Sequence, residues 1–195
     1  ILLPKVGAAD DVAALAARLD AIPAAAQTEI WAMMETPAGI LNAAEIARAP
    51  RMAGFVMGTN DLAKELGCTG RAAMHTALQH CLLAARAAGI VCVDGVYNAF
   101  RDEAGLAAEC AEGRAFGFDG KTLVHPAQVA AANAAFAPSE DEIALARRQI
   151  AAYEAAQARG EGVAVVDGRI VENLHVDTAR ATLAKAEAIA QREAA

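Results

Sequence analysis

Short apolar runs alternate with alanine-rich stretches whose apolar positions recur every three or four residues through the first two-thirds of the chain. That alternation predicts βα units feeding a parallel sheet. Five runs read as strands: ILLPKV (Ile1 to Val6), EIWAMM (Glu29 to Met34), GFVMG (Gly54 to Gly58), IVCVDGV (Ile90 to Val96) and FDGKTLV (Phe118 to Val124). Between them, DDVAALAARLDAI, GILNAAEIARA, RAAMHTALQHCLLAARAAG and LAAECAEGRAFG carry helical stripes punctuated by Gly or Pro. Clear stripes make these packed helices rather than low-complexity sequence. Units of this length build a (β/α)8 barrel or a doubly wound sheet.

After Pro126 the pattern turns mainly helical. QVAAANAAFA is followed by Ser139 as an N-cap for EDEIALARRQIAAYEAAQARG, an S-x-x-E helix start, with Gly160 and Gly162 ending that helix. GVAVVDGRIV then predicts a hairpin turning at Asp167-Gly168, and a last helix runs from about Leu174. The expected division is residues 1–136 for the barrel part and 137–195 for an appended unit that acts as a lid or an oligomerisation element. Because the sequence opens inside a strand run without methionine and shows five βα units where a barrel has eight, further units are expected upstream.

Composition narrows the function. A chain of 195 residues that is 56% hydrophobic can bury one substantial core. Seventeen basic against twenty-four acidic residues give a net charge of −7 with no basic cluster, so no nucleic-acid partner is expected. No apolar stretch approaches the roughly 20 residues that cross a bilayer, and the start carries no basic leader with a cleavage site, so no membrane partner and a cytoplasmic protein are expected. Cys68, Cys81, Cys92 and Cys110 lack CxxC spacing and read as free buried thiols. His75 and His80 are five apart, poorly placed to share a helix face, so a zinc site is not expected.

The candidate chemistry lies in two acids. Glu35 closes the run IWAMME and Asp61 closes GFVMGTND one unit later, each where a strand gives way to a helix. Thr36 reads as an N-cap and Pro37 as the first helical residue after Glu35. Neighbouring strands lie about 4.8 Å apart, so two carboxylates at their C-terminal ends would converge and repel unless a cation lay between them. Mg²⁺ suits such a pair, since it takes one or two carboxylates and keeps positions for water and substrate oxygens. The competing reading is that each acid merely decorates a helix N-terminus.

Five motifs then carry a resemblance: LLPKV, METPAGILNAAEIA (Met34 to Ala47), GTNDLAKEL (Gly58 to Leu66), DGVYNAFRDEAGL (Asp94 to Leu106) and FDGKTLVHPAQV (Phe118 to Val129). In order and spacing the chain resembles the citrate lyase β-subunit family, which includes malyl-CoA and β-methylmalyl-CoA lyases. The resemblance implies a (β/α)8 barrel of which strands four to eight are present, LLPKV resembling the fourth. It implies Mg²⁺, with Mn²⁺ as a substitute, held by Glu35 and Asp61, and a turn at Gly58, Thr59 and Asn60 whose N–H groups receive a 2-oxo-acid carboxylate. GRIVENLHV resembles the family's stretch whose acid reaches an adjacent subunit's site, which places the catalytic proton donor on Glu172, with Asp167 competing. No position matches the family's early-strand arginine. For Lys5, Lys121 and His125 a structural role is favoured: the lysines reaching CoA phosphates or holding rim carboxylates, His125 fixing the last loop.

The implied activity is Mg²⁺-dependent carbon–carbon cleavage of a malyl-CoA-like or citryl-CoA-like 3-hydroxyacyl-CoA into an acyl-CoA and a 2-oxo-acid, in a homotrimer or hexamer. The alternatives are a malyl-CoA thioesterase, a metal-dependent aldolase acting on a non-CoA substrate, and a non-catalytic subunit supporting assembly.

Overall fold

The structure, a computed structural model, describes residues 1–194, which fall into two compact units, residues 1–136 and 137–194. In the first, five strands form one sheet: β1 (Leu2–Leu3), β2 (Ile30–Met34), β3 (Met52–Met57), β4 (Val91–Asp94) and β5 (Gly120–Lys121). All pairs are parallel and the spatial order equals the chain order. A doubly wound sheet reverses its order at a switch point. This sheet does not, so it is an arc of barrel staves, as the resemblance implies.

The helices are α1 (Ala9–Asp20), α2 (Pro37–Leu41), α3 (Ala43–Ile46), α4 (Thr59–Leu66), α5 (His75–Ala88), α6 (Glu103–Phe116) and α7 (Val129–Phe136). Their buried positions keep helical spacing, with Val12, Ala16 and Leu19 on α1 and Leu78, Cys81, Leu82 and Ala85 on α5. They cover the sheet, whose Ile30, Ala32, Met34, Phe55, Met57 and Cys92 form the core. Consecutive burial of Phe55, Val56 and Met57 is the signature of a strand covered on both faces.

Several elements differ from the sequence reading. The first strand stops at Leu3 because Lys5 adopts a left-handed backbone (φ +55°) and turns the chain out of the sheet. The segment GILNAAEIARA is two short helices, because Asn42 leaves helical geometry and its side-chain amide donates to the Gly7 carbonyl at 2.8 Å. The fifth strand keeps only Gly120–Lys121. Among the described residues, no helix is long and apolar enough to cross a membrane.

Arg51, itself at φ +61°, fastens the connection between α1 and β2. Its Nη1 donates to the carbonyls of Ala25, Ala26 and Thr28 at 2.9, 3.2 and 2.8 Å, and its Nε and Nη2 hold Asp20 at 2.9 and 2.6 Å. A lysine lacks the planar fork that reaches carbonyls and carboxylate together. Arg51→Lys is expected to destabilise the chain by about 1–3 kcal/mol, read from the shift of a urea unfolding midpoint at unchanged slope.

The second unit contains α8 (Glu140–Ala158), the antiparallel hairpin β6 (Ala164–Val166) and β7 (Arg169–Val171), and α9 (Asn173–Glu193). The Ser139 hydroxyl accepts from Glu142 N while the Glu142 carboxylate accepts from Ser139 N, the capping box legible in the sequence. Asp167 (φ +50°) and Gly168 (φ +75°) make the hairpin turn, which needs positive φ at both positions. Tyr153, Ala156, Ala164, Val171 and Val176 form a separate small core.

Candidate active site

Glu35, immediately after β2, is buried at 8% exposure, and its Oε1 accepts from the backbone N of Lys5 at 2.8 Å. Thr36 caps the next helix, its hydroxyl accepting from Gly39 N at 3.0 Å with Pro37 at the first helical position. The next strand brings Gly58 against Glu35. A methyl group on Gly58 would lie 2.4 Å from the Glu35 Cβ and 2.7 Å from its Oε2, so only glycine leaves room for that carboxylate.

Asp61 is not at a strand end. The Leu62 amide closes on the Gly58 carbonyl at 3.0 Å, so α4 begins at Thr59 and Asp61 lies in its first turn, where the helix dipole favours an anion. Its carboxylate is paired with the Lys5 ammonium, which holds Asp61 below the usual carboxylate range; the same bond raises Lys5. Glu65, one turn further along α4, lies 3.9 Å from that ammonium. Lys5 therefore engages both candidate ligands, Glu35 through its backbone and Asp61 through its side chain. Of the structural roles weighed for it, holding rim carboxylates is the one seen.

Thr59 is buried, and the Asn60 side chain exchanges hydrogen bonds with Asn98 at 2.7 and 3.3 Å. Both border a cleft of about 320 Å³ that Arg71, Tyr97 and Asn98 also line. Glu172 lies in the second unit as the exposed N-cap of α9, its backbone N donating to His175 Nδ1 at 3.0 Å. Asp167 is occupied by Arg148 at 2.9 Å. His125 accepts from Ala127 N at 3.1 Å and stacks on Phe100, which fixes the loop before α7.

Sequence reasoning missed a buried charge cluster behind the same edge. Asp94 ends β4 fully buried and contacts Arg71 Nη1 at 2.9 Å, its own neighbour's Gly95 N at 2.8 Å and Lys121 Nζ at 3.2 Å. The Lys121 ammonium, also fully buried, reaches Glu109 Oε1 at 2.5 Å and the Gly95 carbonyl at 2.6 Å. Arg71 pairs in addition with Glu112, which His75 approaches at 3.3 Å. Burial alone would lower the Arg71 pKa, but Asp94 and Glu112 outweigh it and the net shift is upward. The available signal was Asp94 closing the apolar run VCVD, as Glu35 closes its own.

Among the described residues no three His, Cys, Asp or Glu side chains cluster as a complete metal cage. The donor set still fits a magnesium-type ion, which takes few carboxylates and fills its shell with water and substrate oxygens. Two observations support the fit: the space Gly58 leaves for Glu35, and the ammonium that stands at Asp61 where a cation is wanted. The buried thiols offer no rival nucleophile. Burial pushes Cys81 up to about 12 and raises Cys92 and Cys110 as well. Cys68 is half-buried rather than buried.

Comparison with known proteins decides the family. The sequence pattern of the HpcH/HpaI aldolase/citrate lyase family matches residues 1–126. The chain belongs to that family. Among its HpcH/HpaI relatives, a protein of Cereibacter sphaeroides named (3S)-malyl-CoA thioesterase is 64% identical over 193 residues, covering 97% of this chain and 66% of the relative. An L-malyl-CoA/beta-methylmalyl-CoA lyase of the same species is 36% identical over 214 residues, covering 97% of this chain and 67% of that protein. The chain thus spans about two-thirds of the length of the curated relatives it matches. Within the same family, the crystal structure of CitE from Mycobacterium tuberculosis in complex with magnesium, acetoacetate and coenzyme A superimposes with a TM-score of 0.79 at 30% identity, covering 95% of this chain and 67% of CitE. These findings correct the expected activity. Relatives at 63–64% identity are named thioesterases and those near 36% lyases, so the carbon–carbon lyase expectation gives way to its alternative.

Proposed function

We propose that the protein is a divalent-metal-dependent thioesterase of the HpcH/HpaI family that hydrolyses a (3S)-malyl-CoA-type thioester. The 64% identity to (3S)-malyl-CoA thioesterase across 97% of the chain is the observation that carries this reading. The carboxylate pair on the barrel edge is consistent with it. In the reaction a water oxygen bonds to the thioester carbonyl carbon, the carbon–sulfur bond breaks, and the departing CoA thiolate takes up a proton.

The chain's own groups divide this work. Glu35 and Asp61 would hold Mg²⁺, with Mn²⁺ as a substitute. When bound, such an ion supplies a Lewis acid for a carbonyl oxygen and acidifies a coordinated water. The Thr59 and Asn60 amides at the start of α4 lack intrahelical acceptors and would hold the substrate's free carboxylate at the positive end of the helix, while the Gly58 amide is spent on the Met34 carbonyl at 3.0 Å. Glu172, exposed on the second unit, is the candidate to accept a proton from the attacking water. A homotrimer or hexamer is the assembly that would present it to a neighbour's site.

Product analysis tests the reaction. Incubation with (3S)-malyl-CoA and Mg²⁺ is expected to release free CoA thiol and malate in equal amounts, followed with a thiol reagent and by chromatography. Accumulation of acetyl-CoA and glyoxylate without malate overturns hydrolysis.

A further inference from the structure

The geometry points to Lys5 as an internal counter-cation that holds the acidic edge together and that a divalent metal ion must displace from Asp61 in order to bind. The inference rests on the proposed role of Glu35 and Asp61 as the metal-holding pair and adds a residue that opposes it.

Three features carry it. The first is the backbone of Lys5. A side-chain-bearing residue at φ +55° is sterically disfavoured, and here the conformation is held by the bond from its N–H to the buried Glu35 carboxylate. That bond fixes where the Lys5 side chain starts, directly over the edge that carries Asp61. The ammonium is delivered to Asp61 by the same turn that orients Glu35.

The second feature is exposure. The side chains of Lys5 and Asp61 are 52% and 44% exposed, so the ammonium can leave Asp61 for water without stranding a buried charge. Lys121 is the opposite case, with both its ammonium and its Asp94 partner at 0%. One lysine is a permanent part of the fold, and the other is a movable ion pair. The third feature is Glu65, four residues after Asp61 on the same helix face and 3.9 Å from the Lys5 ammonium, a second acceptor for the displaced group. A divalent ion arriving at Asp61 would repel the ammonium held there, and an exposed lysine, unlike the buried one at Asp94, is free to yield. Metal loading therefore transfers the ammonium from Asp61 towards Glu65, and metal loss returns it. Lys5 is a positioning residue in this scheme. It sets the metal affinity and offsets one negative charge of the unloaded edge.

Mn²⁺ titration of the full chain, with free ion counted by its paramagnetic resonance signal, tests the inference without any assay of turnover. Lys5→Met keeps the backbone N–H for Glu35 and removes only the charge; it is expected to tighten Mn²⁺ binding about three- to fivefold, the range of an exposed ion pair. Glu65→Gln, which removes the second acceptor, is expected to weaken binding by up to about twofold. Lys5→Arg keeps the cation and is expected to restore wild-type affinity. In chelator, Lys5→Met should melt lower than wild type and gain more on adding Mg²⁺. Equal or weaker Mn²⁺ binding by Lys5→Met, with wild type binding normally, overturns the inference alone. A wild-type chain that binds no Mn²⁺ overturns the metal-site reading first, and this inference with it.

Discussion

Asp94→Ala is expected to lower the unfolding free energy by about 3–5 kcal/mol, the cost of leaving a buried cation without its partner. Asp94, fully buried, meets both the Lys121 ammonium and the Arg71 guanidinium, at 3.2 and 2.9 Å, and the Lys121 ammonium is itself shut off from solvent. Removing the carboxylate leaves Glu109 and Glu112 to serve the two cations, and Gly95 N loses its 2.8 Å acceptor. A marginally stable domain has only about 5–15 kcal/mol to lose. Asp61→Ala makes the contrast: its ion pair is half exposed and screened by water, and the expected loss is small beside that of Asp94→Ala. Urea unfolding of the two variants side by side decides the matter, and equal losses would show that the buried cluster contributes no more than a surface pair. Lys121→Met in the Asp94→Ala background should recover part of the loss, because it removes the stranded charge. Gly113→Ala should approach the same defect from the other side. A methyl group there would lie 2.7 Å from the Asp94 Oδ2, and α6 would have to move away from β4.

The second large effect concerns activity. Glu35→Gln is expected to reduce thioester hydrolysis at least about a hundredfold, since a metal ion contributes several kcal/mol of transition-state stabilisation and each 1.36 kcal/mol is tenfold in rate. The amide should still accept from Lys5 N, so folding should change little and the loss should appear in metal affinity and turnover together. Gly58→Ala is the sharper variant because it deletes no ligand. Its added carbon would meet Glu35 at 2.4 Å and force that side chain from its place. Weaker Mg²⁺ binding by calorimetry, with near-normal Tm in chelator, is the expected result. Unaltered affinity in both variants would remove Glu35 from the metal site.

How much of this could be read from the chain follows from how local each signal is. The alternation that named five strands and the amphipathic stripes between them depend on neighbours in sequence, and the parallel arc follows them in order. Thr36 with Pro37 and Ser139 with Glu142 are local caps, and both form as expected. Strand and helix ends were less legible, because distant partners set them: Asn42 breaks a helix by reaching Gly7, and Lys5 ends a strand by bonding Glu35 across thirty residues. The cluster of Arg71, Asp94, Glu109 and Lys121 was invisible for the same reason, since it unites a turn, two strand ends and a helix. Choice of reaction was the least legible. Thioester hydrolysis and carbon–carbon cleavage can share a metal-holding edge, and it was relatives of higher identity, not the two acids, that separated them.

The Arg51 clasp carries a consequence for how the first unit opens. One guanidinium serves the carbonyls of Ala25, Ala26 and Thr28 and the end of α1, so the connection between α1 and β2 has no half-released state in which some of those groups remain served. Its amides should exchange with solvent as a single cooperative block, and a protease should find that segment either wholly shut or wholly open.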